Sequence, residues 1–134
     1  MKKIIVVDDS MSILDQMREI FQDAGFVVEV ASCGEEGIRV IEKNQDALAI
    51  IVDLNMPDIT GLEMIERLGE SNICVDVPKI VLTTDLLTKR KNEEFLSSKG
   101  RRFGIGAWFM KPVTASNKDH LIGVVEALLT KGSS

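Results

Sequence analysis

Five polar residues of this sequence stand where short apolar runs end: the pair Asp8 and Asp9 after one run, and Asp53, Thr83 and Lys111 each after another. A carboxylate can bind a metal or attack phosphorus, whereas an ammonium or a hydroxyl can stabilise an anionic group. Each apolar run is typical of a buried strand, so each polar residue stands where a strand ends. Because the carboxyl ends of parallel strands meet at one edge of a sheet, we expect these five side chains to gather there.

The three carboxylates of Asp8, Asp9 and Asp53 would repel one another at such an edge. Their crowding is costly unless a cation neutralises it. Magnesium prefers oxygen ligands and usually keeps several waters, which leaves a coordination position open for a phosphate oxygen. The sequence therefore predicts a Mg²⁺ site formed by these carboxylates.

The same residues predict phosphoryl transfer. A carboxylate such as that of Asp53 can act as the nucleophile and form an aspartyl phosphate. The charge on the transferring group would be stabilised by the metal, by the ammonium of Lys111 and by the hydroxyl of Thr83. A P-loop or GxGxxG turn does not follow the first apolar run, which argues against nucleotide binding.

Strands and helices must alternate to position these residues. Strands are predicted at residues 4–7, 26–31, 47–52, 79–82 and 105–110. Helices are predicted from Ser10 or Ser12 to a stop at Gly25, at residues 34–43, 61–70 and 117–129, and within the span 84–107. Five strand and helix repeats with right-handed crossovers predict a doubly wound five-stranded parallel sheet with five helices, in three α/β/α layers.

The composition predicts one folded domain without direct nucleic-acid binding. The 134 residues are 45% hydrophobic and 28% charged, with a formal net charge of −5. This length suits one domain, which we expect at residues 1–131 with a short tail at 132–134. A negative balance disfavours binding to phosphate backbones.

A cytoplasmic location without membrane insertion is expected. The apolar run at residues 4–7 is too short for a signal peptide, and no run is long enough to span a bilayer. Cys33 and Cys74 lack the CxxC spacing of a zinc site and do not suggest a disulfide framework, so free thiols in a reducing compartment fit best.

The motifs resemble those of the receiver domains of two-component response regulators, particularly the single-domain chemotaxis (CheY-like) type. The matching segments are VVDDS at residues 6–10, VDLNMP at 52–57, GLE at 61–63, VLTT at 81–84 and KP at 111–112. They span nearly the whole chain. The resemblance implies a flavodoxin-like fold with the strand order 2-1-3-4-5.

The resemblance also implies a role for each metal-binding residue. Asp53 would be the phosphoacceptor and a metal ligand. Asp8 and Asp9 would form the acidic pair that holds Mg²⁺, and Asn55 would contribute its backbone carbonyl.

Further roles in phosphoryl binding and switching follow from the same resemblance. Thr83 and Lys111 would bind the phosphoryl group, and Thr83 would also act in the switch. Trp108 stands at the position of a switch aromatic, although a packed aromatic would fit that position equally well. Pro112 would follow a cis peptide bond.

The partners implied are a histidine kinase or phosphotransfer protein and a downstream target protein. The target would bind the face made by the fourth helix, the fifth strand and the fifth helix. Such a domain catalyses only its own phosphorylation and dephosphorylation and is not a conventional enzyme. A monomer is expected, and a dimer on phosphorylation is the alternative.

Two departures from the family pattern keep a second function open. Thr84 occupies a position where the family commonly has a smaller residue, and the span from Thr83 to Lys111 is longer than usual. The basic cluster at residues 89–91 fits a solvated helix face slightly better than a partner surface. The alternative is a receiver-like interaction module that signals without phosphorylation. An aspartyl phosphatase fits poorly, because Asn55 stands where a second acid is needed.

Overall fold

The computed structural model describes residues 2–84 and 103–132, the last two by their backbone alone. The strands are β1 Lys3–Val7, β2 Val27–Ala31, β3 Ala49–Asp53, β4 Lys79–Thr83 and β5 Ile105–Met110. The helices are α1 Met11–Asp23, α2 Gly34–Lys43, α3 Gly61–Glu70 and α4 Lys118–Gly132.

The strands form one sheet in the order β2-β1-β3-β4-β5. All four neighbouring pairs are parallel. The predicted strand order and flavodoxin-like architecture are therefore confirmed. Four helices, not five, lie within the described part of the chain, because residues 85–102, where the remaining helix was predicted, fall outside it.

Alternate residues of the central strands supply two separate cores. In β1, Ile4 and Val6 pack with α1 and α4, whereas Ile5 and Val7 pack with α2 and α3. All four side chains are fully buried. Burial on both faces explains why the strand is a continuous apolar run rather than an alternating one.

Local signals fix both ends of α1. Ser10, rather than Ser12, is its N-cap, and its side chain accepts a hydrogen bond from the backbone N–H of Ile13. Gly25 follows the helix with φ +92°, a conformation that glycine adopts without strain. The N–H of the next residue, Phe26, bonds to the carbonyl oxygen of Phe21 at 2.9 Å, and the two rings meet edge to face.

Several boundaries differ from the predicted ones. β3 begins at Ala49 because the N–H of Ala47 bonds to Asn44 in the turn after α2. Helical spacing from Phe21 predicts Ala24 on the inner face of α1, but the structure has it as the exposed C-cap. The last helix continues to Gly132 rather than ending at residue 129, and residues 133–134 lie outside the described chain. Within residues 2–84 and 103–132, the helices lack the length and apolar character needed to cross a membrane.

Candidate functional site

β1 delivers the first two carboxylates to the carboxyl edge of the sheet. The backbone N–H of Asp8 continues the ladder to β2 by bonding to the carbonyl oxygen of Ala31 at 3.1 Å. Its side chain is completely buried, and Oδ1 accepts a hydrogen bond of 2.9 Å from the N–H of Ser10. Asp9 is exposed. One carboxylate of the pair is thus fixed by the chain while the other faces solvent.

Asp53 is the last residue of β3, opposite Leu82 of β4. It is only 6% exposed. The chain turns sharply after it: the N–H of Leu54 bonds to the carbonyl oxygen of Leu82, and the N–H of Gly61 bonds back to the carbonyl oxygen of Leu54, both at 2.9 Å. The backbone that follows Asp53 is therefore tied to β4 and to the start of α3.

Lys111 follows β5 and reaches across the edge of the sheet. Its backbone N–H bonds to the carbonyl oxygen of Thr83 at 2.8 Å, and its peptide bond to Pro112 is cis. The ammonium nitrogen lies 2.8 Å from Oδ2 of Asp8 and 3.2 Å from Oδ1 of Asp53. One cation thus contacts two carboxylates that come from different strands.

These contacts shift the acidity of the site. Burial, reinforced by the negative charge of Asp8, raises the pKa of Asp53 from its ordinary value of 3.8 to about 6, although the charge of Lys111 opposes this. Burial alone would lower the pKa of Lys111, but its contact with Asp8 and the charge of Asp53 raise it overall. The lysine is therefore firmly charged, and it does not fully compensate for the desolvation of Asp53.

The acidic residues fit a divalent cation. Asp8, Asp9 and Asp53 each offer one oxygen, and these oxygens lie within 4.8 Å of one another. Oδ2 of Asp8 is buried and lies 2.8 Å from the ammonium nitrogen of Lys111. A donor set made only of carboxylate oxygens suits a hard ion such as Mg²⁺.

The other predicted site residues lie around this cluster. Thr83 is the last residue of β4 and is 2% exposed. Asn55 is exposed, two residues beyond Asp53 in the loop that leads to α3. Trp108 pairs with Val81 in the sheet and packs against the core on the α2 and α3 side. Its buried indole N–H has no hydrogen-bond partner among the described residues.

Sequence reasoning missed two backbone features of the site. The N–H of Ser10 holds Asp8, although Ser10 was singled out only as a helix cap. Gly61 lies so near Asp53 that a side chain at that position would strike its backbone. The signal that sequence reasoning did not use is a glycine at the first turn of a helix shortly after a candidate nucleophile.

Known proteins share both the sequence pattern and the fold. The family model described as "Response regulator receiver domain" matches residues 4–122. A chemotaxis protein CheY homolog of Campylobacter jejuni is 31% identical over 114 residues, which cover 84% of this chain and 82% of that protein. The chain spans only 34%, 20% and 42% of the length of other curated relatives that it matches.

Solved structures agree with this assignment. Chemotaxis protein CheY4 of Vibrio cholerae has a TM-score of 0.80 at 30% identity, covering 96% of this chain and 98% of that one. Response regulator protein TrrA from Thermotoga maritima, in complex with Mg²⁺-BeF, has a TM-score of 0.74 at 26% identity, covering 96% and 99%. With a family model that matches most of its length, this chain belongs to the response regulator receiver domain family.

Proposed function

We propose that this receiver domain is a Mg²⁺-dependent phosphorylation switch in which Asp53 accepts a phosphoryl group from a histidine kinase or a phosphotransfer protein. One observation carries the proposal: the carboxylates of Asp8, Asp9 and Asp53 converge within 4.8 Å, and Lys111 reaches two of them. Folding alone does not require such a cluster, because a buried acidic edge costs stability.

The chemistry follows from the positions of these side chains. A carboxylate oxygen of Asp53 attacks the phosphorus, a new O–P bond forms, and the bond from phosphorus to the donor's histidine nitrogen breaks. The ammonium of Lys111 and the hydroxyl of Thr83 stabilise negative charge on the transferring oxygens. Mg²⁺ held by Asp8, Asp9, Asp53 and the backbone carbonyl of Asn55 would neutralise further charge there.

The domain then hydrolyses its own aspartyl phosphate and is not a metabolic enzyme. The output of phosphorylation is a change in the surface of the domain. The new charge draws Thr83 and Lys111 toward the phosphoryl group, and Trp108 responds in the neighbouring strand. A downstream protein would read the face made by β5, α4 and the helix predicted within residues 84–107. The indole N–H of Trp108 has no hydrogen-bond partner within residues 2–84 and 103–132, which supports a second arrangement of this side chain.

The setting proposed is cytoplasmic, with protein partners and no direct contact with nucleic acid. The net charge of −5 supports this, as does the similarity to chemotaxis proteins. We expect a monomer in this setting, with dimerisation on phosphorylation as the alternative.

Exposure to acetyl phosphate or beryllofluoride with Mg²⁺ tests the proposal. Acetyl phosphate should add the mass of one phosphoryl group to the wild type and none to Asp53→Asn. Beryllofluoride, a mimic of the phosphoryl group, should change the fluorescence of Trp108 only in the wild type. The complex of TrrA with Mg²⁺-BeF supports the choice of this probe. Equal mass and equal fluorescence in both proteins would favour the alternative, an interaction module that signals without phosphorylation.

A further inference from the structure

The loop between β3 and α3, residues 54–60, carries Asn55 and is closed at its base. The N–H of Leu54 bonds to the carbonyl oxygen of Leu82 in the sheet, and the N–H of Gly61 bonds back to the carbonyl oxygen of Leu54. Among the described residues, these are the backbone hydrogen bonds of the loop, and the outer part from Asn55 to Ile59 makes none to the sheet. Side-chain contacts must position that outer part.

Asp58 provides a contact there. Its Oδ1 accepts a hydrogen bond of 3.0 Å from the N–H of Gly34, and its Oδ2 accepts one of 2.8 Å from the N–H of Glu35. These amides open α2, whose own N-cap, Cys33, makes no side-chain cap. Asp58 therefore caps a helix that is distant in sequence, and its negative charge suits the positive end of that helix.

The carboxylate of Asp58 is stabilised in its ionised form. Hydrogen bonds from backbone amides, chiefly that of Glu35, hold the pKa of Asp58 well below its usual range. The carboxylate is therefore ionised over the whole range in which the protein would work, and the link between loop and helix does not depend on pH there.

Packing strengthens the same link. Ile59 is 7% exposed and lies directly over Gly34, where an added β-carbon would stand 2.2 Å from Cγ1 of Ile59. Pro57 restricts the backbone just before Asp58, and a residue that precedes proline is restricted as well. The outer part of the loop is thus stiff and joined to the first turn of α2.

We propose that Asp58 is a positioning residue for the metal site: by holding the loop against α2, it fixes the backbone carbonyl of Asn55 where a metal can bind it. The inference rests on the proposed Mg²⁺-dependent function. It also makes the first turn of α2 part of the supporting structure of the phosphorylation site. Removing Asp58 would let the loop shift without altering any carboxylate of the metal cluster.

Titration of Mg²⁺ into ¹⁵N-labelled protein, followed by amide chemical shifts, tests this. Asp58→Ala should weaken Mg²⁺ binding about tenfold, as loss of outer-shell support typically does. Asp58→Asn keeps one acceptor oxygen and should lose less, so it serves if the alanine variant folds poorly. In the wild type, Mg²⁺ should also shift the amides of Gly34 and Glu35, and this response should vanish in Asp58→Ala.

Ile41→Val is the matched control, because it weakens the packing of α2 in the core and leaves every residue of the loop unchanged. It should bind Mg²⁺ as the wild type does. Equal affinity in Asp58→Ala and wild type, or an equal loss in Ile41→Val, would overturn the role of Asp58 and leave the proposed function intact. A wild type that binds no Mg²⁺ would instead overturn the proposed function, and this inference with it.

Discussion

Gly61 and Asp53 are in such close contact that a β-carbon added to Gly61 would stand 2.4 Å from the backbone carbonyl oxygen of Asp53. That separation is far below a normal contact, and the obstacle is backbone rather than a flexible side chain. The start of α3 is therefore packed directly against the backbone of the residue that we propose as the phosphoacceptor. A change at Gly61 should act on Asp53 without altering any charge of the site.

Gly61→Ala should push the end of β3 away from Lys111. Overpacking of this kind costs about 1–3 kcal/mol of unfolding free energy. We expect a greater loss of activity, with the rate of phosphorylation by acetyl phosphate falling at least about tenfold, because small misplacements of reacting groups are expensive. Mass spectrometry over a time course measures that rate, and chemical denaturation measures the stability.

Gly123→Ala is the control, since a β-carbon on Gly123 would meet nothing within 4 Å. This residue is exposed on α4, where alanine is favoured over glycine by about 1 kcal/mol. The control should be slightly more stable and should phosphorylate normally. If both variants phosphorylate at the wild-type rate, the contact between Gly61 and Asp53 has no bearing on the reaction.

Asp53→Asn should stabilise the metal-free protein at neutral pH. The folded state raises the pKa of Asp53 from 3.8 to about 6, so between these values the folded protein holds a proton that the unfolded chain has lost. Stability therefore falls as pH rises through this window, by about 3 kcal/mol in all. The Asp53→Asn variant has no carboxyl group to titrate at this position, so its stability should not fall in this way.

Urea denaturation at pH 4 and pH 7, with and without Mg²⁺, measures the effect. The difference between Asp53→Asn and wild type should be small at pH 4 and should reach about 3 kcal/mol at pH 7 in the absence of metal. Saturating Mg²⁺ should reduce this difference in stability, because the ion binds the carboxylates of the folded wild type and stabilises it. A difference that does not change with pH would contradict the proposed desolvation of Asp53.

The sequence was sufficient for the sheet because its strands are buried on both faces. A short continuous apolar run such as residues 4–7 is typical of a strand covered on both sides, and the polar residue after each run marks the shared edge. The ends of the strands were less certain, since apolar character does not reveal where the pairing between strands stops. Asp53 and Thr83 are thus the last residues of their strands rather than the first residues beyond them.

Contacts between distant segments could not be predicted in the same way. The cap that Asp58 provides to α2 joins residues 23 and 24 positions apart, and no local pattern marks it. Lys79 was predicted to open a strand, yet its side chain is almost completely buried. Lysine is rarely buried, so its type pointed to the surface. The carbonyl oxygens that make this burial tolerable belong to Cys74 and Val77, in the turn before the strand, and the residue types alone do not show that this turn folds back onto the ammonium.

Lys111→Met should leave the buried carboxylates of Asp8 and Asp53 without their cation. Removing one partner of a buried ion pair costs about 3 kcal/mol. The pKa of Asp53 should rise further, because Lys111 holds it down. Both stability and phosphorylation should therefore suffer most at neutral pH, with the rate of phosphorylation falling roughly a hundredfold.

Lys118→Met is the comparison for this variant, since Lys118 is exposed at the start of α4 and makes no ion pair with Asp8 or Asp53. Denaturation and acetyl phosphate assays should leave it close to wild type. A Lys111→Met protein that loses equal stability at pH 4 and pH 7 would show that packing, rather than charge, is what Lys111 contributes.

Lys79 should make the protein more stable as the solution becomes alkaline. Its ammonium donates to the carbonyl oxygens of Cys74 at 2.6 Å and Val77 at 2.9 Å, but burial still lowers its pKa from 10.5 to about 8. Between these values the unfolded chain holds a proton that the folded protein has released. The unfolding free energy should therefore rise with pH over this window, by about 3 kcal/mol at most.

Cys74 complicates the measurement, because burial raises the pKa of its thiol. An acid whose pKa is raised on folding makes the unfolding free energy fall as pH rises. The experiment is therefore made in a Cys74→Ser background, with and without Lys79→Met. The double variant loses the donor for two carbonyl oxygens and should be less stable throughout. Its stability should also lack the rise between pH 8 and 10.5, and an equal rise in both proteins would mean that Lys79 keeps its proton in the folded state.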